Sequence, residues 1–244
     1  MKKVKTPVEV KPKPYFSVSD RFKFITQFVG LVANRKLNSF VLVGSGGIGK
    51  SYTIIDGLKK NGLVEETLEE WGDFVVIKGY STPKYLYRML FENNDKVLVL
   101  DDCDQAFKDP VAANILKAAL DDKEERIITW GSETKDEDLP NRFNFTGRVV
   151  FISNLSIKQF PQAIISRSAK VDLTLTVGET VERIKEVFKN VEADVQHKCD
   201  VLKFVDNYAE IASDLNIRSS LNLLKMRENI GDDWEQIALY QWVN

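Results

Sequence analysis

The sequence has very few of the residues that hold disulfide-rich or metal-bound folds together. Its 244 residues include only two cysteines, Cys103 and Cys199, and one histidine, His197. The two cysteines lie far apart in the chain, which excludes a disulfide framework and a zinc module and fits a reducing compartment. A single histidine also argues against a histidine-cluster metal site and against a Ser–His or Cys–His catalytic pair.

Long apolar runs and a large net charge are also absent. The longest apolar runs, such as Phe40–Val43 and Val97–Leu100, are far shorter than the roughly 18–20 residues that cross a membrane. No apolar stretch follows the N-terminal lysines, so we predict no signal peptide. The formal net charge is −2, from 34 basic and 36 acidic residues, so any nucleic-acid site must be local. We expect a cytoplasmic protein with no membrane partner.

The residue pattern divides the chain into three parts. Residues 1–14 are rich in lysine and proline, which predicts a flexible basic arm that either has no task or contacts phosphates or a neighbouring subunit. Residues 15–177 alternate apolar strands with amphipathic helices, which predicts a mostly parallel sheet covered on both faces. Residues 178–244 show only helical patterns and carry a net charge of −5, from 8 basic and 13 acidic residues, which does not suit DNA binding.

Local patterns set the expected element positions. Ser19 and Asp20 are expected to cap the first helix, Tyr85 to lie on a buried helix face, and Trp71 to pack at a helix-like position. The five strands of the expected sheet are Ser39–Val43, Phe74–Ile77, Val97–Leu100, Arg148–Ile152 and Val171–Leu175.

The first strand runs directly into a phosphate-loop motif, G-x-x-x-x-G-K-[ST]. The motif consists of Gly44, Ser45, Gly46, Gly47, Ile48, Gly49, Lys50 and Ser51. Glycines let successive backbone N–H groups point at phosphate oxygens, and the helix that follows adds its positive end. We expect this loop and Tyr52 to bind ATP, with Lys50 on the β- and γ-phosphates and the Ser51 hydroxyl on Mg²⁺.

A second candidate site follows the third strand, where four apolar residues lead into acids. Asp101 is at the position that holds Mg²⁺ in P-loop NTPases. Asp102 is at the position that would orient or deprotonate the attacking water; the alternative is that it only caps a helix, which is also the interpretation we favour for Asp104. Cys103 between them is expected to be a small buried apolar residue.

Five motifs occur in the order and at the spacing of the AAA+ ATPases. They read GSGGIGKS, VLVLDDCD, RVVFISN, AIISRS and NIRSSLNLL. From about residue 15 to 231 the chain resembles this family, and the segment from DDCD to VVFISN resembles the small AAA+ ATPases of tailed bacteriophages. The resemblance implies an α/β fold, a P-loop NTPase three-layer αβα sandwich with a five-stranded parallel sheet, followed by a small α-helical lid domain. For a viral protein the expected location is the host cytoplasm.

The resemblance also assigns roles that spacing alone would not reveal. Asn154 resembles sensor 1, which orients water or contacts the γ-phosphate, and Arg218 resembles sensor 2, which reaches the γ-phosphate from the lid. Arg167 looks like the arginine that clamp loaders insert into the neighbouring subunit's ATP site. The rival candidates for that arginine are Arg126, Arg142 and Arg148.

One departure from the family pattern concerns the second acid. Most of the family carries Asp-Glu after the acidic strand, and this chain carries Asp101-Asp102. The shorter side chain lies about one methylene further from the water, so we expect either slow hydrolysis or the help of a second group, and unaffected nucleotide binding.

An arginine that acts in the neighbouring site requires a head-to-tail homo-oligomer, which closes into a ring or opens into a spiral; we expect a hexamer.

The main hypothesis is a motor or loader that acts on single- or double-stranded DNA in phage replication, recombination or packaging. Lys78, Tyr80 and Lys84 would suit a nucleic-acid strand. The alternatives are a protein-remodelling or regulatory module with a protein client, which the acidic lid favours, and an ATP-bound switch with little turnover. Trp130 belongs to a predicted hairpin, either as a core residue or as a substrate contact.

Overall fold

The structure, a computed structural model, describes residues 15–79, 82–131 and 138–243, apart from the side chains of Phe107 and Asp232. Three parts of the sequence interpretation lie outside the described residues: the basic arm 1–14, Tyr80 of the candidate nucleic-acid contacts, and residues 132–137 within the predicted hairpin.

A five-stranded parallel sheet forms the centre of the fold. Its strands are β1 (Ser39–Gly44), β2 (Phe74–Lys78), β3 (Val97–Asp101), β6 (Arg148–Ser153) and β7 (Ala169–Leu173). They lie side by side in the order β2-β3-β6-β1-β7, and every neighbouring pair is parallel. The carboxyl ends of β1, β6 and β3 therefore meet at one edge, which brings the residues that follow these strands together.

Helices cover both faces of this sheet. The helices before and between the strands are α1 (Val18–Ala33), α2 (Lys50–Lys60), α3 (Pro83–Glu92), α4 (Pro110–Ala119) and the short α5 (Gln162–Ile165). Alternate residues of β1 show the two-sided packing: Phe40 and Leu42 pack with α1 and α2, whereas Val41 and Val43 pack with α3 and α4. The predicted α/β three-layer sandwich is confirmed.

The chain continues into a helical region, called the lid below. It consists of α6 (Val177–Phe188), α7 (Val195–Tyr208), α8 (Ile217–Ile230) and α9 (Trp234–Val243). Its apolar side chains form a cluster of their own, with Phe204 in contact with the rings of Trp234 and Trp242. Within the described part of the chain, none of the helices has the length and apolar character that a membrane crossing requires.

Two helix predictions were wrong by two residues. The first helix is capped by Ser17 rather than by Ser19 and Asp20: Ser17 Oγ accepts from the Asp20 amide, and the Asp20 carboxylate accepts from the Ser17 amide. This capping box satisfies two amides that would otherwise lack partners. In α3 the buried tyrosine is Tyr87, whereas Tyr85 is 46% exposed. Tyr87 is covered by residues distant in sequence, and its hydroxyl donates to Pro140 O at 2.6 Å.

The remaining differences concern strand edges and tryptophans. The fifth strand was expected at Val171–Leu175 and lies at Ala169–Leu173. Trp71 is 83% exposed in the segment between α2 and β2, where its ring lies 4.3 Å from the ammonium of Lys96. The predicted hairpin is present as β4 (Ile127–Thr129) and β5 (Arg142–Asn144). Trp130 packs beside Tyr87, with ring centroids 5.6 Å apart, as the core interpretation predicts.

Candidate functional site

The phosphate loop joins the carboxyl end of β1 to the start of α2. Ile48 is buried in the core below the loop and anchors it, while Tyr52 on the first turn of α2 is 74% exposed. Gly47 has φ +70°, a left-handed conformation that glycine adopts without strain. A side chain at Gly47 would also collide with the lid, because an added Cβ would lie 2.5 Å from Asn216 Oδ1.

Lys50 is the buried cation of the site, only 6% exposed. Its Nζ donates to Gly44 O at 2.8 Å, Ser45 O at 2.7 Å and Asn154 Oδ1 at 2.8 Å. All three acceptors are neutral. Burial lowers the pKa of Lys50, and the nearby carboxylates of Asp102 and Asp101 oppose that shift. The ammonium group is thus held in place without a carboxylate hydrogen bond, which leaves it suited to an anionic ligand.

Ser51 and Asp101 form an oxygen pair beside this lysine. Ser51 Oγ donates to Asp101 Oδ1 at 3.0 Å, and Asp101 is 6% exposed at the end of β3. Hydroxyl and carboxylate oxygens are the protein ligands that Mg²⁺ accepts, so the predicted magnesium-binding residues fit that ion. Lys78, at the matching position of β2, places its Nζ 3.9 Å from Asp101 Oδ2.

Asn154 connects the lysine to the second acid. It follows β6, the strand between β1 and β3, and its Nδ2 donates to Asp102 Oδ1 at 2.9 Å while its Oδ1 accepts from Lys50. The lysine can only donate and the carboxylate only accepts, so the two partners together fix the orientation of the amide. The Asn154 amide thus lies between the Lys50 ammonium and the Asp102 carboxylate.

Asp102 has φ +55° in the left-handed region. Aspartate and asparagine tolerate this conformation better than other non-glycine residues, because their short polar side chains bond locally. The backbone therefore supplies a physical reason for an aspartate rather than a glutamate at this position. The side chain is exposed toward the site.

The lid completes the site through the start of α8. Asn216 caps this helix, and the Ile217 amide donates to Gly47 O at 3.1 Å. Arg218 then faces a cavity of about 400 Å³ that is also lined by Lys50, Asp101 and other residues of the loop and strand ends. Lid and phosphate loop thus form one continuous site.

Two polar lining residues of the lid, Asn222 and Lys225, were not predicted as site residues from the sequence. They follow Arg218 by four and seven residues, the spacing that places side chains on one helix face. This spacing relative to Arg218 is the sequence signal that could have identified both residues. Next to this cavity, Tyr52 also borders a second, more apolar cavity of about 470 Å³ between α2 and the lid.

Arg167 lies away from this site in its own chain. Its carbonyl accepts from Ser39 Oγ, at the first residue of β1, which is five residue steps of about 3.3 Å, or roughly 16 Å, from the loop end of that strand. The side chain is exposed, and its Nη1 donates to Ala163 O at 3.1 Å. The phosphate loop, Asp101, Asp102, Asn154 and Arg218, by contrast, lie together around the cavity.

The rival arginines differ in their contacts. Arg126 is 5% exposed and donates to Ala119 O at 2.9 Å and to Gly147 O at 2.8 Å; burial lowers its pKa to about 10. Arg148 donates to the carbonyls of neighbouring loops. Arg142 is exposed on β5. Arg126 and Arg148 are engaged within their own chain, which leaves Arg167 and Arg142 as the accessible candidates.

Comparison with known proteins gives one sequence relative and a structural neighbour. The chain is 26% identical over 245 residues to an uncharacterized 36.7 kDa protein of Enterobacteria phage T4 from the nrdC–mobD intergenic region; the match covers 91% of this chain and 73% of that protein. A crystal structure of a DNA replication initiation factor matches with a TM-score of 0.46 and 14% identity over 88% of this chain; the match spans 62% of that structure's chain, less than two thirds of its length. No protein-family model matches the chain. The phage relative agrees with the phage resemblance of the motifs.

The contact between loop and lid predicts the cost of a side chain at Gly47. Gly47→Ala should lower the free energy of unfolding by more than Gly62→Ala, measured by urea denaturation. Both glycines have positive φ, which costs alanine about 1–2 kcal/mol, but an added Cβ at Gly62 has nothing within 4 Å, whereas at Gly47 it meets Asn216.

Asn216→Gly removes the side chain that an added Cβ at Gly47 would meet. Glycine at an N-cap itself costs only a few tenths of a kcal/mol. In that background the cost of Gly47→Ala should fall to that of Gly62→Ala. Equal costs for both alanine variants in the unmodified chain would contradict the loop–lid contact.

Proposed function

We propose that the protein is an AAA+-type ATPase that binds ATP with Mg²⁺ in the cavity between the phosphate loop and α8 and hydrolyses it there. The observation that carries the proposal is the convergence of Lys50, the Ser51–Asp101 pair and Arg218 of the lid on one cavity. Preorganised cations around a transferred phosphoryl group are the main source of catalysis in such sites.

Each group has a role that follows from its contacts. Backbone amides of the loop and the Lys50 ammonium would bind the phosphates. Ser51 and Asp101 would hold the Mg²⁺, which when bound supplies charge neutralisation on the phosphate oxygens. Arg218 would add a positive charge from the lid side.

Asp102 would activate the attacking water, and Asn154 would hold Asp102 in position. The Asp102 carboxylate can accept a proton or orient the water, and Asn154 holds that carboxylate through a 2.9 Å hydrogen bond. Because Asn154 also contacts Lys50, the position of the acid is tied to the group that would bind the γ-phosphate.

Asp102→Asn should leave ATP affinity nearly unchanged and lower kcat by about 10²-fold or more, because the amide cannot accept the proton. Asparagine tolerates the left-handed backbone at this position, so the fold should be kept. Steady-state hydrolysis and equilibrium binding of a fluorescent ATP analogue measure the two effects.

Asp104→Asn is the matched control, because it removes a carboxylate two residues away that does not line the cavity. It should retain most of the turnover. Unchanged turnover in Asp102→Asn would remove Asp102 from the mechanism.

The exposed position of Arg167, far from the site of its own chain, favours action on a neighbouring subunit. A head-to-tail homo-oligomer, closed as a hexameric ring or open as a spiral, would bring it to the next subunit's cavity. There its guanidinium would stabilise charge on the phosphoryl group.

Arg167→Ala alone should be inactive, and mixing it with Lys50→Ala subunits should restore part of the activity. The first variant supplies an intact loop and the second an intact arginine, so mixed interfaces contain one complete site. Arg142→Ala serves as the control and should stay active alone. No recovery in mixtures that still assemble would contradict action in trans.

For the substrate we propose DNA, in phage replication, recombination or packaging. The clamp-loader-like Ser166-Arg167 segment and the basic arm of the sequence support this choice, as does Lys78, whose side chain is 69% exposed beside the site. A protein client is the second candidate, because the lid carries a net charge of −5.

ATP hydrolysis with and without single- and double-stranded DNA should separate these two substrates. We expect stimulation by DNA that weakens with salt, since phosphate contacts release counterions, together with a larger assembly in mass measurements. Normal ATP-dependent assembly without any stimulation by DNA would contradict the DNA proposal and favour the protein client.

A further inference from the structure

A three-residue connection joins the sheet to the lid. β7 ends at Leu173 and α6 begins at Val177. Arg21 of α1 lies across this connection: its Nη1 donates to Thr174 O at 3.0 Å and its Nη2 forms an ion pair with Glu179 Oε1. The two side chains are only 16% and 12% exposed. One guanidinium therefore binds both the last part of the sheet layer and the first turn of the lid.

Glu179 is itself fixed to the start of α6. Its Oε2 accepts from the Thr176 amide at 2.9 Å as part of a capping box, and its Oε1 also accepts from Tyr15 Oη at 3.2 Å. This carboxylate cannot swing away from Thr176 without losing its hydrogen bond to the start of α6. The ion pair with Arg21 thus orients α6 against α1.

A second contact between α1 and α6 lies one turn further along α6. The guanidinium of Arg183 lies 3.8 Å from the centre of the Phe22 ring, a cation–π distance. Arg183 also borders the apolar cavity next to Tyr52. The α1–α6 contact therefore reaches the edge of the nucleotide site.

The far side of the lid docks on the phosphate loop through α8. Ile184 and Phe188 of α6 share one packed cluster with Ile217 and Leu224 of α8, so a rotation of α6 would carry α8 with it. The Ile217 amide and the Asn216 side chain touch Gly47. The orientation of α6 that Arg21 stabilises therefore determines how α8 lies against the loop and where Arg218 lies.

We propose that Arg21 is a positioning residue of the nucleotide site: its ion pair with Glu179 sets the lid so that α8 rests on the phosphate loop and Arg218 faces the cavity. The effect on nucleotide affinity rests on the proposed ATPase function, whereas the effect on lid position does not. No hydrogen bond or ion pair among the described residues joins Arg21 to a residue that lines the cavity, so Arg21 acts through α6 and α8.

The exchange rate of the Ile217 amide hydrogen reads the lid position directly. The first amides of a helix have no partner inside that helix, so the protection of this amide depends on Gly47 O alone. In Arg21→Ala without nucleotide, we expect exchange at Ile217 to become about tenfold faster or more, because lid opening is local. Exchange at Leu224, inside α8, should stay as in the unmodified protein.

Arg227→Ala is the matched control. Arg227 forms an ion pair of similar burial with Asp200, with Nε and Oδ2 2.9 Å apart, between α8 and α7. Its loss should lower the melting temperature without accelerating exchange at Ile217. Arg21→Lys retains the positive charge beside Glu179 and should recover much of the protection.

Steady-state kinetics of ATP hydrolysis complete the test. For Arg21→Ala we expect KM for ATP to rise about tenfold, because the lid position that completes the site is populated less. At saturating ATP the bound nucleotide restores that position and Arg218 with it, so kcat should be nearly unchanged. Exchange at Ile217 that stays as in the unmodified protein, or that rises equally in Arg227→Ala, would overturn the positioning role. If the unmodified protein binds no nucleotide, the ATPase proposal fails, and the exchange rates alone decide on Arg21.

Discussion

A buried ammonium group is the constraint on which the candidate site depends. Lys50 is almost removed from solvent and donates to oxygens from the end of β1, from the loop and from the residue after β6. A buried charge is costly unless it is hydrogen-bonded and balanced by opposite charge. The balance comes from Asp101 and Asp102 at the end of β3. The strand order β3-β6-β1 is what places these groups side by side.

The lid has two electrostatic faces, which the net charge of its sequence conceals. Its total of −5 argues against DNA binding by the lid as a whole, yet the face of α8 that borders the cavity carries Arg218 and Lys225. A cationic face of this kind suits phosphate, and none of the described acidic residues of the lid lines this cavity. The lid is therefore better understood as part of the proposed nucleotide site than as a separate binding module. Its contact with Gly47 explains why a loop glycine is constrained by a distant helix.

Periodicity and motif spacing predicted the central sheet and the loop, because both depend on local sequence. Contacts between distant segments decided the rest. Tyr87 rather than Tyr85 is buried because the hairpin packs over it, with Phe143 5.2 Å away between ring centroids. The left-handed backbone of Asp102 and the docking of Asn216 on Gly47 have no signature in local sequence. The fifth strand, whose exposed Lys170 and Asp172 alternate with apolar residues at a sheet edge, lacks the continuous apolar run that identified the other strands.

Equilibrium titration of the protein with ATP in the presence of Mg²⁺, compared with Lys50→Ala, tests the central claim most directly. The account predicts one nucleotide per chain for the unmodified protein and an affinity at least about tenfold weaker for the variant, equivalent to about 1.4 kcal/mol or more. The melting temperature of the variant, measured without nucleotide, shows whether it remains folded. Equal affinities in two folded proteins would contradict the assignment of this cavity as the ATP site.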